Sequence, residues 1–385
     1  MGGFALAASA GWNLANVGAV AGRTSAAYGV GLAVVGLFTT ALVLTHAAMQ
    51  IPAGRLCDRF GARLVGAGGL VLIGLSSLAG LAWREAWFAI GIRLVTGVGL
   101  AAAFVGGADY VRATLASPVA QGFYGATSMA AGGLALALVP LWPGWRAPFV
   151  TSAIVAAVGL VLVLIAPADE RQPGAAQAAR TFDRRLLPLG VMHAASFGLS
   201  VVLGNWVATL LQRGGHETAH VAGLVGGLVL FLGVVSRPAG GRLLERPRVV
   251  QISFVVGGFA IGLLAIARPL PLAIIAAAIV GLAAGVPFAA AFAGAQRLRP
   301  DAPAAAVGAV NLAATIVILV GTPLVGLSFS LPGDGRIGFL VCGVLFAAAA
   351  FAVRTPKGRV SGTVPGTCPR GRPRDLAVAD ESAPG

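Results

Sequence analysis

Polar side chains recur at helical spacing inside long apolar stretches of this 385-residue chain. Thr39, His46 and Gln50 follow one another at intervals of seven and four residues, so a helix places all three on one face. Hydroxyl, imidazole and amide groups on one face can bind a polar solute, and a histidine can also carry a proton near neutral pH. The structural alternative is a neutral histidine that is hydrogen-bonded between helices.

Arg93 is the clearest charged residue within an apolar stretch. If that stretch crosses a bilayer, a central charge costs about 2.5–3.5 kcal/mol, so the side chain is expected to face a cavity or a partner. Two interpretations are open: contact with an anion, or a structural arginine that bonds backbone carbonyls. Further candidates for a polar cavity, each with interhelical hydrogen bonding as its alternative, are Tyr124, His193, Arg237 and Asn311.

The composition shows what kind of elements must position these residues. Hydrophobic residues make up 57% of the chain and charged residues only 10%, whereas soluble domains have roughly 25% charged residues. Apolar runs of about 20 residues predict membrane-spanning helices. The short alternating segments of a membrane β-barrel do not occur.

The excess of basic residues gives a formal net charge of +14. These residues stand singly or in small groups between apolar segments, which predicts membrane topology and not a nucleic-acid surface. The three cysteines, Cys57, Cys342 and Cys368, are too scattered for a disulfide framework or a metal cluster. No metal, cofactor or nucleic-acid partner is therefore predicted.

Charged, proline-rich and glycine-rich breaks divide the chain into twelve predicted helices. They cover residues 4–22, 30–52, 64–82, 87–108, 119–141, 147–166, 187–211, 219–237, 249–267, 271–294, 304–330 and 337–353. We expect an all-α membrane protein with two pseudo-symmetric six-helix bundles, at 1–166 and 186–353, joined by a linker at 167–185. The tail, 354–385, is rich in Pro, Gly and Arg and is expected to be disordered.

Most of the 27 basic residues fall on the linker side of the predicted helices, and Arg237 is placed there at the end of its helix. By the positive-inside rule, the linker and both termini are cytoplasmic. The first apolar segment lacks a basic region before it, so it is interpreted as a membrane helix and not as a signal peptide. We expect a multi-pass protein of the plasma membrane, surrounded by lipid and functional as a monomer.

An internal repeat supports the division into halves. A shift of 187 residues places QIPAGRLCDR, Gln50 to Arg59, on RPAGGRLLER, Arg237 to Arg246. Gly54 and Arg59 match Gly241 and Arg246, and Asp58 meets Glu245. Both copies follow the second helix of their half, as parallel six-helix repeats require.

Two motifs resemble a known family. GRLCDRFGAR, Gly54 to Arg63, resembles the loop signature of the major facilitator superfamily, G-x-L-x-D-R-x-G-x-R. RLVTGVG, Arg93 to Gly99, is similar to the R-x-x-x-G-x-G element in the fourth helix of that superfamily. The resemblance implies a secondary transporter, not an enzyme, in which two six-helix bundles rock about a central site and expose it to each side in turn.

Further motif comparisons narrow the expected solute. Gly132 and Gly133 lack the proline that precedes them in the G-P-x-x-G-G-like run of drug and proton antiporters. IPAGRLCDRFGAR and SRPAGGRLLER also resemble the nitrate/nitrite porter and cyanate permease branch, with Gln50 and Arg237 where nitrate/nitrite porters have two arginines. No acidic residue is predicted at mid-membrane depth, so we expect a small anionic or polar solute, transported with or without a coupling ion. Proton-coupled drug or metabolite efflux is the alternative.

The charges of the loop signature have a separate interpretation. Asp58 lies at a helix junction, where it can pair with Arg112 or a neighbouring arginine and accept hydrogen bonds from N–H groups at a helix N-terminus. A contact of this kind would latch the bundles in one state. The predicted latch residues are Gly54, Asp58, Arg59, Gly61, Arg63, Arg112, Glu245 and Arg246.

Overall fold

The computed structural model describes residues 1–167, 183–214, 217–243, 246–267 and 269–353. Helices account for nearly all of these residues, and none of them is in a strand. In residues 1–167 the α-helices are α1 Gly2–Ala15, α2 Ala21–Tyr28, α3 Leu32–Phe60, α4 Ala62–Ala79, α5 Ala86–Leu115, α6 Pro118–Leu138 and α7 Ala147–Ile165. In the described part of 183–353 they are α8 Leu187–His193, α9 Ser200–Gly214, α10 Ala219–Arg242, α11 Pro247–Ile266, α12 Leu270–Leu298, α13 Pro303–Ser328 and α14 Arg336–Ala348.

The helices have the length and composition of membrane spans. Within the described ranges, 10 segments are long and apolar enough to cross a bilayer, where only a helix satisfies every backbone N–H and C=O group internally. The first predicted span is represented by α1, of 14 residues, a short 3₁₀ turn and α2. The last is the shorter apolar helix Arg336–Ala352. The prediction of an all-helical membrane protein is confirmed.

Several helices extend beyond their predicted ends. α3 continues to Phe60 instead of ending at residue 52, and α10 continues to Arg242 instead of residue 237. Both contain an internal proline, and both end near a basic residue, which is favourable at a helix C-terminus. Arg237 consequently lies inside α10, buried, and not at a loop as predicted.

One end of the helices is identified by the residues that flank the predicted linker. Tyr110 Oη donates to the carbonyl of Pro167, and Arg63 Nε donates to the carbonyl of Val163 at 3.1 Å. We call this the linker end. Exposed tryptophans, as found at membrane interfaces, lie in or beside the α4–α5 and α6–α7 connections at the opposite end; they are Trp83, Trp87 and Trp142.

The buried apolar residues form separate cores, with a large cluster and a small one, around Cys57 and Ala304, between them. A large core is built only from residues 192–353, and smaller cores are built only from residues of the first half. The large cluster between the halves includes Leu42, Phe104, Phe288 and Val310. Many large apolar side chains, such as Phe259 and Val344, remain exposed, as expected for a surface that faces lipid.

Candidate functional site

Two helix crossings join the halves of the chain. In the first crossing α3 packs against α13, and in the second α10 packs against α6. A Cβ atom added to Gly308 would lie 2.2 Å from the carbonyl oxygen of Gln50, and one added to Gly122 would lie 2.3 Å from that of Arg237. Glycine is required for both approaches, and the repeat partners Gln50 and Arg237 occupy corresponding places in the two crossings.

The first crossing carries a buried histidine–glutamine pair. Gln50 Nε2 lies 2.7 Å from His46 Nε2, one helical turn away on α3. Both side chains are buried, and His46 Nδ1 and Gln50 Oε1 have no hydrogen-bond partner in the described protein. Because buried polar atoms are normally paired, these two atoms are available to a polar ligand or water.

A second histidine pair joins α8 to α13. His193 Nε2 lies 3.0 Å from Asn311 Oδ1, and both residues are fully buried. His193 Nδ1 and Asn311 Nδ2 also have no partner within the described protein. Directly after His193 the helix changes to a π-turn over Ala194–Leu199, an irregularity that is common at functional sites.

Arg237 places a positive charge beside this second pair. Its Nη1 donates to the carbonyl of Gly125 at 2.7 Å, and its guanidinium lies 4.4 Å from the ring centre of Phe288 and 5.2 Å from that of Phe197. These contacts stabilise a cation but do not neutralise it. Arg237 Nε has no partner in the described protein.

The salt bridges of the described residues involve neither Arg237 nor Arg93. A buried charge without a counterion is costly, and an anion that binds it recovers that free energy. Arg237 therefore has the environment of an anion-binding residue. We call His46, Gln50, His193, Arg237 and Asn311 the polar site.

Aromatic rings connect the two halves of the polar site. His46 packs edge-on against Phe104, with 5.9 Å between the ring centres, and Phe104 packs against Phe292 at 6.2 Å. Phe292 contacts His193 at 4.7 Å. These packed rings give the histidine pairs an apolar surrounding, in which electrostatic interactions are stronger than in water.

The other predicted cavity residues lie elsewhere. Arg93 donates from Nη2 to the carbonyl of Asn13 at 2.7 Å and from Nε to that of Phe38 at 3.3 Å, so its contacts are those of the structural alternative. Tyr124 Oη donates to the carbonyl of Phe104 within the first half. Thr39 is partly exposed, two turns before His46 on α3.

The predicted latch residue Asp58 bridges the halves at the linker end of the first crossing. Its Oδ1 accepts from the N–H of Ala304 and its Oδ2 from that of Ala305, both at 3.0 Å. These N–H groups begin α13, so the carboxylate caps a helix of the other half. Beside it, a Cβ atom on Gly54 would lie 2.5 Å from Ala305 Cα.

Where the structure describes them, the other charged latch residues make no hydrogen bond to the opposite half like that of Asp58. The salt bridge of Arg112 is with Asp109, at 2.6 Å, and not with Asp58, because both lie one turn apart on α5. Arg63 bonds carbonyls at the end of α7, Arg59 packs over Phe60, and Gly61 provides the turn with φ of 90°. The N–H of Arg246 donates to the carbonyl of Leu243 at 2.8 Å. Glu245 lies outside the described residues.

The linker end also carries two ion pairs that the sequence analysis did not predict. Arg299 Nη2 lies 2.7 Å from Asp301 Oδ2, and Arg185 Nη2 lies 2.8 Å from Asp183 Oδ2. The hydrogen bond from Arg299 holds the pKa of Asp301 below its ordinary value, and the bond from Arg185 does the same for the pKa of Asp183. Both pairs join residues two apart in the sequence. Such residues do not face each other on an α-helix, so each pair depends on the backbone turn in which it lies.

The sequence analysis also missed the glycines and the rings that shape the polar site. Gly122 and Gly308 lie in apolar helices rich in small residues, so nothing local distinguishes them. Phe288 and Phe292 recur at a spacing of four on α12, which was the available signal for an aromatic face.

Comparison with known proteins agrees with this architecture. Residues 3–248 match the family model of the Major Facilitator Superfamily, and the chain belongs to that superfamily of membrane transport proteins. The chain is 28% identical over 190 residues to the probable nitrate/nitrite antiporter NarK1 of Thermus thermophilus. That match covers 45% of this chain and 38% of the length of NarK1. The family resemblance found in the motifs is confirmed.

Solved structures share the fold over most of the chain. The human organic anion transporter MFSD10 (TETRAN) superposes with a TM-score of 0.69 at 18% identity, covering 92% of this chain and 97% of that one. The E. coli fucose:proton symporter FucP superposes with a TM-score of 0.68 at 14% identity, covering 91% and 98%. FucP in the outward conformation gives 0.71 at 13% identity, covering 91% and 99%. At these identities the likeness shows the fold alone.

Proposed function

We propose that the chain is a secondary transporter that moves a small anionic or polar solute by alternating access. In this proposal the polar site binds the solute between the two halves, and Arg237 contacts its negative charge. His46 and Gln50 contact the solute from the first half, and His193 and Asn311 from the second. The similarity to NarK1, a probable nitrate/nitrite antiporter, and to MFSD10, an organic anion transporter, is compatible with an anionic solute.

The observation that carries this proposal is the environment of Arg237. The residue is buried at the crossing of α10 and α6. Among the described residues it forms no salt bridge, and its Nε has no hydrogen-bond partner. Unpartnered atoms of both histidine pairs lie in the same interhelical cluster. A dehydrated cation among unsatisfied polar groups favours an anion, since binding then satisfies charge and hydrogen bonds together.

Transport by purified protein in liposomes tests the proposal. A panel of small inorganic and carboxylate anions, with nitrate and nitrite included, is offered with and without a pH gradient. We expect uptake of at least one anion, loss of that uptake in Arg237→Gln and partial retention in Arg237→Lys. Arg213→Gln is the matched control, because Arg213 also bonds a carbonyl and packs on a ring, that of Phe329, at the opposite end. Absence of anion uptake, or full uptake by Arg237→Gln, would contradict the proposal.

Proton-coupled efflux of a drug or metabolite is the second candidate. It is favoured by the two histidines of the polar site, which can exchange a proton for a solute. A strain that lacks its own pumps and expresses this chain would then gain resistance to a toxic compound. Under our first proposal, expression gives no resistance.

We also propose the arrangement around the site. Residues 1–166 and 186–353 form two six-helix bundles, the linker 167–185 and the tail 354–385 are cytoplasmic, and the protein acts as a monomer in the plasma membrane. The repeat of Gln50–Arg59 at Arg237–Arg246 and the position of most basic residues support this arrangement. Labelling of single cysteines introduced at Trp83 and Arg184 in inverted vesicles tests it, with only the second expected to react.

A further inference from the structure

A groove opens on the surface between α8 and α13. Its volume is about 350 Å³, and its walls include Leu187, Val191 and Ile316, which are about half exposed. Gly190 and Ala313 form the floor, where a Cβ atom on the glycine would lie 3.4 Å from that of the alanine. Because both helices are part of membrane-spanning segments, this apolar groove faces the acyl chains of the bilayer.

The linker end of the groove is ionic. Asp183 lines the groove and pairs with Arg185, and the charges of Arg299 and Asp301 act on this pair from the α12–α13 turn. Each of the two ion pairs has no net charge. Arg184, exposed in the same turn as Arg185, adds a positive charge at the mouth.

We infer that the groove binds one acyl chain of an anionic glycerophospholipid, whose phosphate is held by Arg184 and by Nη1 of Arg185. Asp183 already accepts from Nε and Nη2 of Arg185. Two features match this ligand: an apolar channel open to the bilayer and, among the described residues, one positive charge beyond the two ion pairs where that channel meets the headgroup region. Basic residues beside an intramembrane groove are a recurrent means of binding anionic headgroups, and the leaflet charge draws them together. A zwitterionic lipid fits the channel and carries the same phosphate, but its ammonium group offsets that charge, so it gains less from the surplus arginine.

The groove lies directly behind part of the polar site. Ala194, on one wall, follows His193, and Ala309 and Ala313, on the other, flank Asn311. An acyl chain between these walls fixes the spacing of α8 and α13, and with it the 3.0 Å contact between His193 and Asn311. This consequence for transport rests on the proposed function, whereas lipid binding does not.

Thermal unfolding of the purified full chain in detergent tests the binding itself. Phosphatidylglycerol is expected to raise the Tm by about 3–5 °C more than phosphatidylcholine at the same mole fraction. The double variant Arg184→Ala/Arg185→Ala is expected to lose most of this difference. Arg146→Ala, which removes an arginine at the opposite end, is the matched control and keeps it. Ala309→Phe, which fills the groove, is expected to reduce the effect of phosphatidylglycerol while leaving the Tm in phosphatidylcholine unchanged.

Each other outcome counts against the inference. Equal stabilisation by both lipids would mean that the groove does not select an anionic headgroup. Equal stabilisation by inorganic phosphate would assign the effect to an anion at the polar site. If Ala309→Phe folds poorly, native mass spectrometry of the arginine double variant decides, since retention of bound phosphatidylglycerol there would overturn the inference. Failure of solute transport in liposomes would leave these binding results standing.

Discussion

The two crossings have the same backbone contact and different charges. A Cβ atom added to Gly308 would lie 2.2 Å from the carbonyl oxygen of Gln50, and one added to Gly122 would lie 2.3 Å from that of Arg237. Nearer the linker end, Gly54 and Gly241 approach backbone atoms of the other half in a similar way. The first crossing adds Asp58, which caps a helix of the other half. The second adds Arg237, which is buried and has no counterion in the part of the chain that the structure describes.

This difference separates two tasks that the repeat alone does not distinguish. At the first crossing the charge lies at the linker end, where it stabilises contact between the halves. At the second the charge lies against the rings of Phe197 and Phe288, and in the proposed function it contacts the solute. The start of α6, which corresponds to that of α13, is capped by its own Ser117, whose Oγ accepts from the N–H of Ala120 at 3.4 Å. Each crossing thus has a charge-assisted hydrogen bond between the halves, from α13 to Asp58 in the first and from Arg237 to the Gly125 carbonyl in the second, and only the first of these caps a helix.

The largest effect is expected from removal of the charge that is present in only one crossing. Arg237→Gln should lower kcat/KM for the anion by about 100-fold, since charge-assisted hydrogen bonds contribute about 1.5–3 kcal/mol each. Gln50→Ala at the corresponding place should lower it by about tenfold or less, because it loses neutral hydrogen bonds only. Liposome uptake measures both. Equal losses would show that the two crossings contribute alike to solute binding.

The next effect concerns what the crossings share. Gly308→Ala and Gly122→Ala each force a Cβ atom against a backbone carbonyl, and overpacking of about 1–3 kcal/mol should shift the population toward a state in which the crossing separates. We expect uptake to fall by about tenfold in both variants. Gly36→Ala is the control on α3, because an added Cβ atom meets nothing within 4 Å there.

A native cysteine reports this separation. Cys57, buried on α3 near the linker end of the first crossing, should react faster with a maleimide in Gly308→Ala than in wild type, with Cys342 and Cys368 replaced by serine. Unchanged labelling, or a response to only one of the two glycines, would mean that the crossings do not open together.

Much of the comparison was accessible from the sequence, and its decisive parts were not. The shift of 187 residues placed Gln50 opposite Arg237 and Gly54 opposite Gly241, because a repeat preserves position. The repeat did not show that α3 and α10 continue past their internal prolines. Polar residues that follow an apolar membrane segment can still be helical, so a change in polarity does not mark the end of the helix. The sequence analysis predicted that Asp58 accepts from N–H groups at a helix N-terminus, but neither the helix concerned nor the pairing of Arg112 with Asp109 could be read from it.

The polar site was predicted in its residue types and only partly in its grouping. His46 and Gln50 share a helix face, so their contact follows from spacing. The contact of His193 with Asn311 joins residues far apart in the chain, and the rings of Phe288 and Phe292 meet Arg237 or His193 from another helix. Packing between distant helices leaves no local pattern, so the sequence alone did not separate the contacts of Arg93 from those of Arg237.

A smaller effect distinguishes a cap across the halves from a cap within one half. Asp58→Asn keeps one acceptor oxygen and loses the charge at the α13 N-terminus, a change of about 1–2 kcal/mol. We expect turnover to fall several-fold with KM within about twofold, because the change acts on the exchange between states. Ser117→Ala should lower the Tm by a few degrees and leave turnover unchanged. A pure rise in KM for Asp58→Asn would contradict the role of a latch.

The smallest effect tests how far the electrostatics of the first crossing extend. Asp301 lies two residues before α13 and is half exposed, so its pair with Arg299 is worth little, within about 0.5 kcal/mol. The pKa of Asp301 is lower in the folded protein because Arg299 donates to it. The pair therefore stabilises above the unfolded pKa near 3.9, and that contribution is lost as pH falls through the lower folded value.

Asp301→Asn should accordingly lower the Tm by about 1 °C at pH 7, and the difference from wild type should persist to about pH 4 and vanish below it. Turnover should not change, because Arg299 and Asp301 belong to the same half, as Ser117 and α6 do. Thermal unfolding across this pH range and liposome uptake provide the two measurements. If Asp301→Asn slowed turnover as much as we expect from Asp58→Asn, the electrostatic contact of the first crossing would include the α12–α13 turn. That contact would then not depend on the carboxylate of Asp58 alone.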